Sequence, residues 1–98
     1  MTMQLNHDTA IRQYKEKGVL ATIRAYPYQV GKNIRIKIKG EYAGMAEVER
    51  VLIEPNYDRI KDHTPKSGFK TAKEWIQAAR ELNDGLLPPY LVIIRKVE

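Results

Sequence analysis

The chain has 98 residues, 43% hydrophobic and 30% charged, with no cysteine, and its 17 Lys and Arg outweigh 12 Asp and Glu to give a net charge of +5. That size supports one core and one domain, residues 1–98, and excludes a second core beside it. Without cysteine there is no disulfide framework, thiolate metal site or cysteine nucleophile, and no run approaches the roughly 20 apolar residues of a membrane helix. The positive charge favours polyanionic partners, and Met1–Asp8 lacks the charged start, apolar centre and small-residue cleavage site of a secretory signal, which points to the cytoplasm.

Taken in chain order, residues 6–17 read as a helix. Asn6 or Asp8 is placed to cap its start, Gly18 is placed to end it in the left-handed conformation, and Ala10, Ile11 and Tyr14 share one face. His7 has no second ligand at helical spacing and His63 falls in a polar loop, so no metal site is expected. Val19–Tyr26 alternates as a strand, with Ala21, Ile23 and Ala25 on one side and Leu20, Thr22, Arg24 and Tyr26 on the other. The second row sets a hydroxyl, a guanidinium and a phenol side by side, groups that read phosphates, bases or carboxylates; the plainer reading pairs Arg24 with an acidic neighbour and leaves Thr22 to its strand preference. Pro27 has no amide to donate and ends the ladder, leaving Tyr26 and Tyr28 in a connection, as exposed candidate stacking platforms for unpaired bases or, as is commoner for tyrosine, as packing residues.

The run Asn33–Lys39 alternates strictly. Ile34, Ile36 and Ile38 face a core, while Arg35, Lys37 and Lys39 form a positive outer row. Gly40 supplies a tight reversal, so the next run folds back antiparallel. Its apolar positions fall at Ala46 and Val48 and then at Val51 and Ile53, a phase slip that implies a bulge near Glu49–Arg50. A bulged, bent strand is what a small closed or half-closed barrel requires. Glu47 and Glu49 share a strand face, and alternating surface charge is their simplest reading.

Pro55 ends that strand. A polar connection over residues 56–68 follows, carrying Arg59, Lys61 and Lys66 and a helical turn near Tyr57–Asp62. Thr71-Ala72-Lys73-Glu74 is a capping box that opens a helix over residues 71–83, with Trp75, Ile76, Ala79 and Leu82 on the buried stripe. Asn83-Asp84-Gly85 stops it and Pro88-Pro89 leads to a final strand, Tyr90–Val97. Its Leu91-Val92-Ile93-Ile94 run is apolar on both sides, as a central strand is. If that strand were instead an edge, it would offer a pairing site to a second copy, and the oligomeric state stays open.

The glycines are single and sit at turns, so no phosphate-cradling loop is present and no cofactor is implied. Neither histidine has a serine and acid in a nucleophilic arrangement. The elements together predict an α+β protein, a small, mostly antiparallel β-barrel with flanking helices.

The order Ala21-Thr22-Ile23-Arg24, Tyr28-Gln29-Val30-Gly31-Lys32, Gly44-Met45-Ala46-Glu47-Val48, Ser67-Gly68-Phe69 opening a helix, and Tyr90-Leu91-Val92-Ile93-Ile94 resembles an ASCH domain, of the PUA-like superfamily. The resemblance runs from about residue 12 to the end. It implies a PUA-like barrel with a cleft between barrel and helix where RNA or a nucleotide binds. On this reading Arg24, Lys32, Arg35, Lys37, Lys39 and Lys66 contact phosphates, and Thr22, Tyr26 and Tyr28 contact a base or sugar. RNA is the expected partner, with DNA or a free nucleotide next. The alternative is an ASCH-type nucleoside amidohydrolase or nuclease acting through Thr22. The amidohydrolases pair such a threonine with a lysine three residues earlier and a glutamate ahead of the Gly-Phe helix. Here those positions hold Val19 and Ser67 or Lys66, and Lys17 reaches the lysine position only if the turn at Gly18 shifts the register. A binding domain is therefore the leading expectation.

Overall fold

Alternation decides the strands and their curvature. The computed structural model describes residues 1–97. In β3 (Asn33–Ile38), Ile34 and Ile36 are fully buried while Arg35 stays exposed, as the pattern demands. Lys39 (φ 50°) and Gly40 (φ 87°) are both left-handed, the geometry of a two-residue hairpin reversal into β4 (Glu41–Ile53). The pairing of β4 with β5 (Tyr90–Val97) slips between Val48 and Arg50, where the phase change in the sequence placed a bulge. A second slip, between Arg35 and Lys37, has no counterpart in the hydrophobic pattern.

Strand β5 lies between β4 and β2 (Val19–Arg24), with Leu91, Val92, Ile93 and Ile94 all buried. Its unbroken apolar run follows from cores on both faces of the sheet, two where the chain length suggested one, because a single curled sheet buries apolar side chains under helices on either side. One core holds Leu20, Ile34, Ile36, Val48, Val92 and Ile94 under α1 (Asp8–Lys17), which contributes Ile11 and Tyr14. The other holds Ala21, Ile23, Leu52, Leu91 and Ile93 under α2 (Tyr57–His63) and α3 (Ala72–Glu81), which contribute Ile60, Ala72, Trp75 and Ala79.

Strand β1 (Thr2–Leu5) was not anticipated from the sequence. It buries Met3 and Leu5 and pairs parallel with β3, so the sheet is mixed, in the order β1-β3-β4-β5-β2. The result is an α+β fold in which a curled five-stranded half-barrel carries three helices. No helix among the described residues is long and apolar enough to cross a membrane.

Other boundaries move for local reasons. The cap of α1 is His7, whose Nδ1 accepts from the Thr9 amide at 3.2 Å, in place of Asn6 or Asp8. Because β1 runs to Leu5, the extended residue just before the helix is His7, and Asp8 falls in the first turn. Helix α3 begins as expected, with Thr71 Oγ1 accepting from the Glu74 amide at 3.2 Å, but ends at Glu81. Asn83 then donates from its side chain to the Ala79 carbonyl at 2.7 Å, and Leu82 is 65% exposed instead of lying in the buried stripe.

Candidate functional site

The sheet has two ends, β1 and β2, and the curl brings both to one opening. Gln4, Leu5 and Asn6 line one side of a cleft of about 390 Å³, and Ala21 to Tyr26 line the other. The cleft is thus the seam of the unclosed barrel. Its walls are completed by His7 and Ala10 of the α1 end, by Ser67 and Phe69, and by Trp75, Ala78, Ala79, Leu82 and Asn83 of the α3 side. The lining contains one cation, Arg24, and neither a carboxylate nor a lysine.

Arg24 closes β2 and lies partly buried on the cleft wall. Its Nε donates to Thr22 Oγ1 at 3.1 Å, and no carboxylate pairs with it among the described residues. Burial lowers its pKa from the ordinary value, although a guanidinium remains charged at neutral pH. A partly buried cation with no carboxylate beside it is a group with which an anion can pair. Thr22 is itself buried, so its hydroxyl acts here by fixing the guanidinium.

The two tyrosines expected as exposed platforms have parted. Tyr26 is 50% exposed on the cleft rim, whereas Tyr28 is 9% exposed and belongs to the core under α1. Their rings meet nearly edge-on, with centroids 5.0 Å apart, so Tyr28 serves as a backing for Tyr26. Tyr28 is drawn inward because its ring packs against the apolar face while its hydroxyl reaches the Thr2 carbonyl at 3.4 Å. Burial raises the Tyr28 pKa, the opposing pull of Arg24 being smaller.

Opposite β2, the Ser67-Gly68-Phe69 turn forms a rigid wall. Ser67 is fully buried, donating to the Thr64 carbonyl at 2.6 Å and accepting from the Phe69 amide at 3.1 Å. Gly68 has φ +88°, and a Cβ there would lie 2.7 Å from the Thr9 carbonyl oxygen and 2.9 Å from Gln13 Cβ. Only glycine lets this turn press against α1. Phe69 in turn stacks obliquely on His7, with centroids 5.1 Å apart.

The other basic residues lie outside the cleft. Arg35 and Lys37 project from β3 on the outer sheet face, and Lys37 is opposite Gln4 in register, so the row borders the cleft mouth through Gln4. Lys39 sits in the hairpin turn instead of continuing that row, and its Nζ is 2.8 Å from Asp8 Oδ1. Lys32 is exposed beyond the far end of β3, and Lys66 is exposed on the one-turn 3₁₀ segment Thr64–Lys66. Lys17 ends α1 beside the start of β2 and does not line the cleft with Thr22. Glu49 is engaged by Arg95 Nε at 2.9 Å, away from the cleft lining.

Gln4, Asn6 and His7 were not singled out from the sequence as site residues, because the strand that delivers them was missed. The apolar pair Met3 and Leu5 was the available signal. In comparisons with known proteins the chain matches no family model, no curated protein and no solved structure.

Proposed function

We propose that this protein is a nucleic-acid-binding domain that takes single-stranded RNA at the seam of its half-barrel. The observation that carries this reading is Arg24, a desolvated guanidinium with no acidic partner among the described residues, on the wall of an aromatic-lined cleft. Arg24 engages a phosphate, Tyr26 offers a stacking surface, and Arg35 and Lys37 attract the chain from the outer face. The order of motifs that resembles an ASCH domain, and through it a PUA-like barrel, supports the same assignment. Hydrolysis of an acylated nucleoside through Thr22 is the weaker reading, since the cleft lining offers neither the lysine nor the carboxylate that the amidohydrolases pair with such a threonine, and its one imidazole, His7, has Nδ1 engaged by the Thr9 amide.

The test is a titration monitored by Trp75, which lines the cleft, with single-stranded RNA, structured RNA and duplex DNA over a salt series. Single-stranded RNA binds most tightly, with log affinity falling linearly in log salt, and Arg24→Ala weakens it at every salt concentration. Equal binding of duplex DNA, or an unaffected Arg24→Ala variant, overturns the reading.

A further inference from the structure

The backbone of β2 points to how the cleft chooses its ligand. In an antiparallel pair, opposed residues alternate between those that exchange hydrogen bonds and those whose polar groups face away. Lys96 donates to the Gly18 carbonyl at 2.7 Å, and Gly18 continues the register that sets Val19 opposite Arg95 and Leu20 opposite Ile94. Alternation from that pair makes Leu20, Thr22 and Arg24 the residues bonded to β5. Val19, Ala21 and Ile23 therefore direct their N–H and C=O groups to the open edge. The Val19 carbonyl confirms the phase, since it accepts from Gln13 Nε2 at 3.1 Å. Ala21 and Ile23 both line the cleft, and β1, the strand across the seam, is not paired with β2.

We infer that this edge reads an unpaired nucleobase: the main-chain N–H and C=O groups of Ala21 and Ile23 hydrogen-bond its Watson–Crick edge while Arg24 holds a neighbouring phosphate. The inference rests on the RNA-binding reading of the cleft and specifies what enters it. Each strand residue presents a donor and an acceptor together, the complement of the adjacent donor and acceptor on every nucleobase. A cleft of about 390 Å³ lies at the small end of ligand pockets, and only two of the β2 residues whose polar groups face the open edge line it. Two residues suit a base better than the longer ladder an added peptide strand makes. Tyr26 and Phe69 supply ring surfaces nearby, and the lining has no carboxylate to repel the phosphate. A duplex is excluded because its Watson–Crick edges are already paired.

The experiment uses the full chain and tetranucleotides of each base, unmodified, methylated on the Watson–Crick edge (N3 of uracil and cytosine, N1 of adenine and guanine), or fully abasic. At least one unmodified tetramer binds, and methylation weakens it about tenfold because buried main-chain groups lose their partners. Ala21→Pro removes one free N–H on the side away from the ladder, where an edge strand tolerates proline, and produces a similar loss with no change for the abasic tetramer. If Ala21→Pro does not fold, the methylated series decides alone. Tetramers that bind equally whether methylated, unmodified or abasic overturn base readout while leaving charge-driven RNA binding intact. Binding of no tetramer, even at low salt, removes both. Displacement of a bound tetramer by an uncharged extended tetrapeptide assigns the edge to peptide pairing and overturns the inference.

Discussion

The seam and the outer face of the half-barrel both carry positive charge, in different settings. At the seam a single guanidinium, Arg24, is desolvated and fixed by Thr22, with no acid beside it among the described residues. On the outer face Arg35 is exposed and solvated, Lys37 is half-buried, Lys39 is held by Asp8, and Arg95 is held by Glu49. Solvated charges are screened within about 8–10 Å at ordinary salt and act mainly on encounter rate. A desolvated charge acts at contact and is screened far less. Counting cations in the sequence therefore does not separate these settings, because the one cation in the cleft lining is not in the basic row.

The seam depends first on its wall. Gly68→Ala forces a side chain into left-handed backbone and against the Thr9 carbonyl, at a cost of about 3 kcal/mol. Gly40→Ala, in the hairpin below the outer face, has the same sign of φ but open space around it, so it costs about 1 kcal/mol. Urea midpoints of the two variants check the difference, and equal losses would show that the seam wall is not clamped. Next, Arg24→Met lowers RNA affinity by about 30-fold, or roughly 2 kcal/mol for a charge-assisted contact. The same change raises the stability of the free protein by about 1 kcal/mol, since an unpaired cation leaves a poorly solvated site. Arg35→Met produces no such gain. Parallel melting and binding curves for the two variants test whether stability and affinity move in opposite directions at the seam alone.

Much of the frame was legible in the sequence because it rests on local patterns. The alternation of Ile34 and Ile36, the slip near Glu49, the doubly apolar Leu91–Ile94 run and the Thr71 cap each have one dominant physical cause, and each appears in the structure. The seam was legible only in part. Thr22, Arg24 and Tyr26 were named from the strand alternation, and the structure brings them to one cleft. Tyr28 was misjudged because a tyrosine after Pro27 looks solvent-exposed until the core beneath it is known. Gln4 and His7 were missed because four residues of β1 carry too short an alternation to announce a strand, and its parallel pairing with β3 is a long-range event. Lys39 was placed in the basic row because the alternation extends one residue past the strand end, into the turn.

Smaller effects separate the members of the outer row. Arg35→Ala and Lys37→Ala each reduce the salt slope of RNA binding by about 0.7 if each neutralises one phosphate of a single strand. Lys39→Ala moves that slope least, because Asp8 already balances its charge. The pair has its own signature in acid. Lys39 holds the Asp8 carboxyl below its ordinary value near 3.8, so the folded state binds that proton less readily than the unfolded chain does. Its contribution to stability is therefore present above about 3.8 and is lost as the pH falls through the depressed folded value. Both partners are exposed, so the contribution is small and shrinks in salt. Melting temperatures of the wild type and Lys39→Ala at low salt should differ slightly at pH 6 and converge by pH 2. If the salt slope drops for Lys39→Ala as much as for Lys37→Ala, the turn lysine leaves Asp8 for the RNA, and the outer row extends to Lys39 after all.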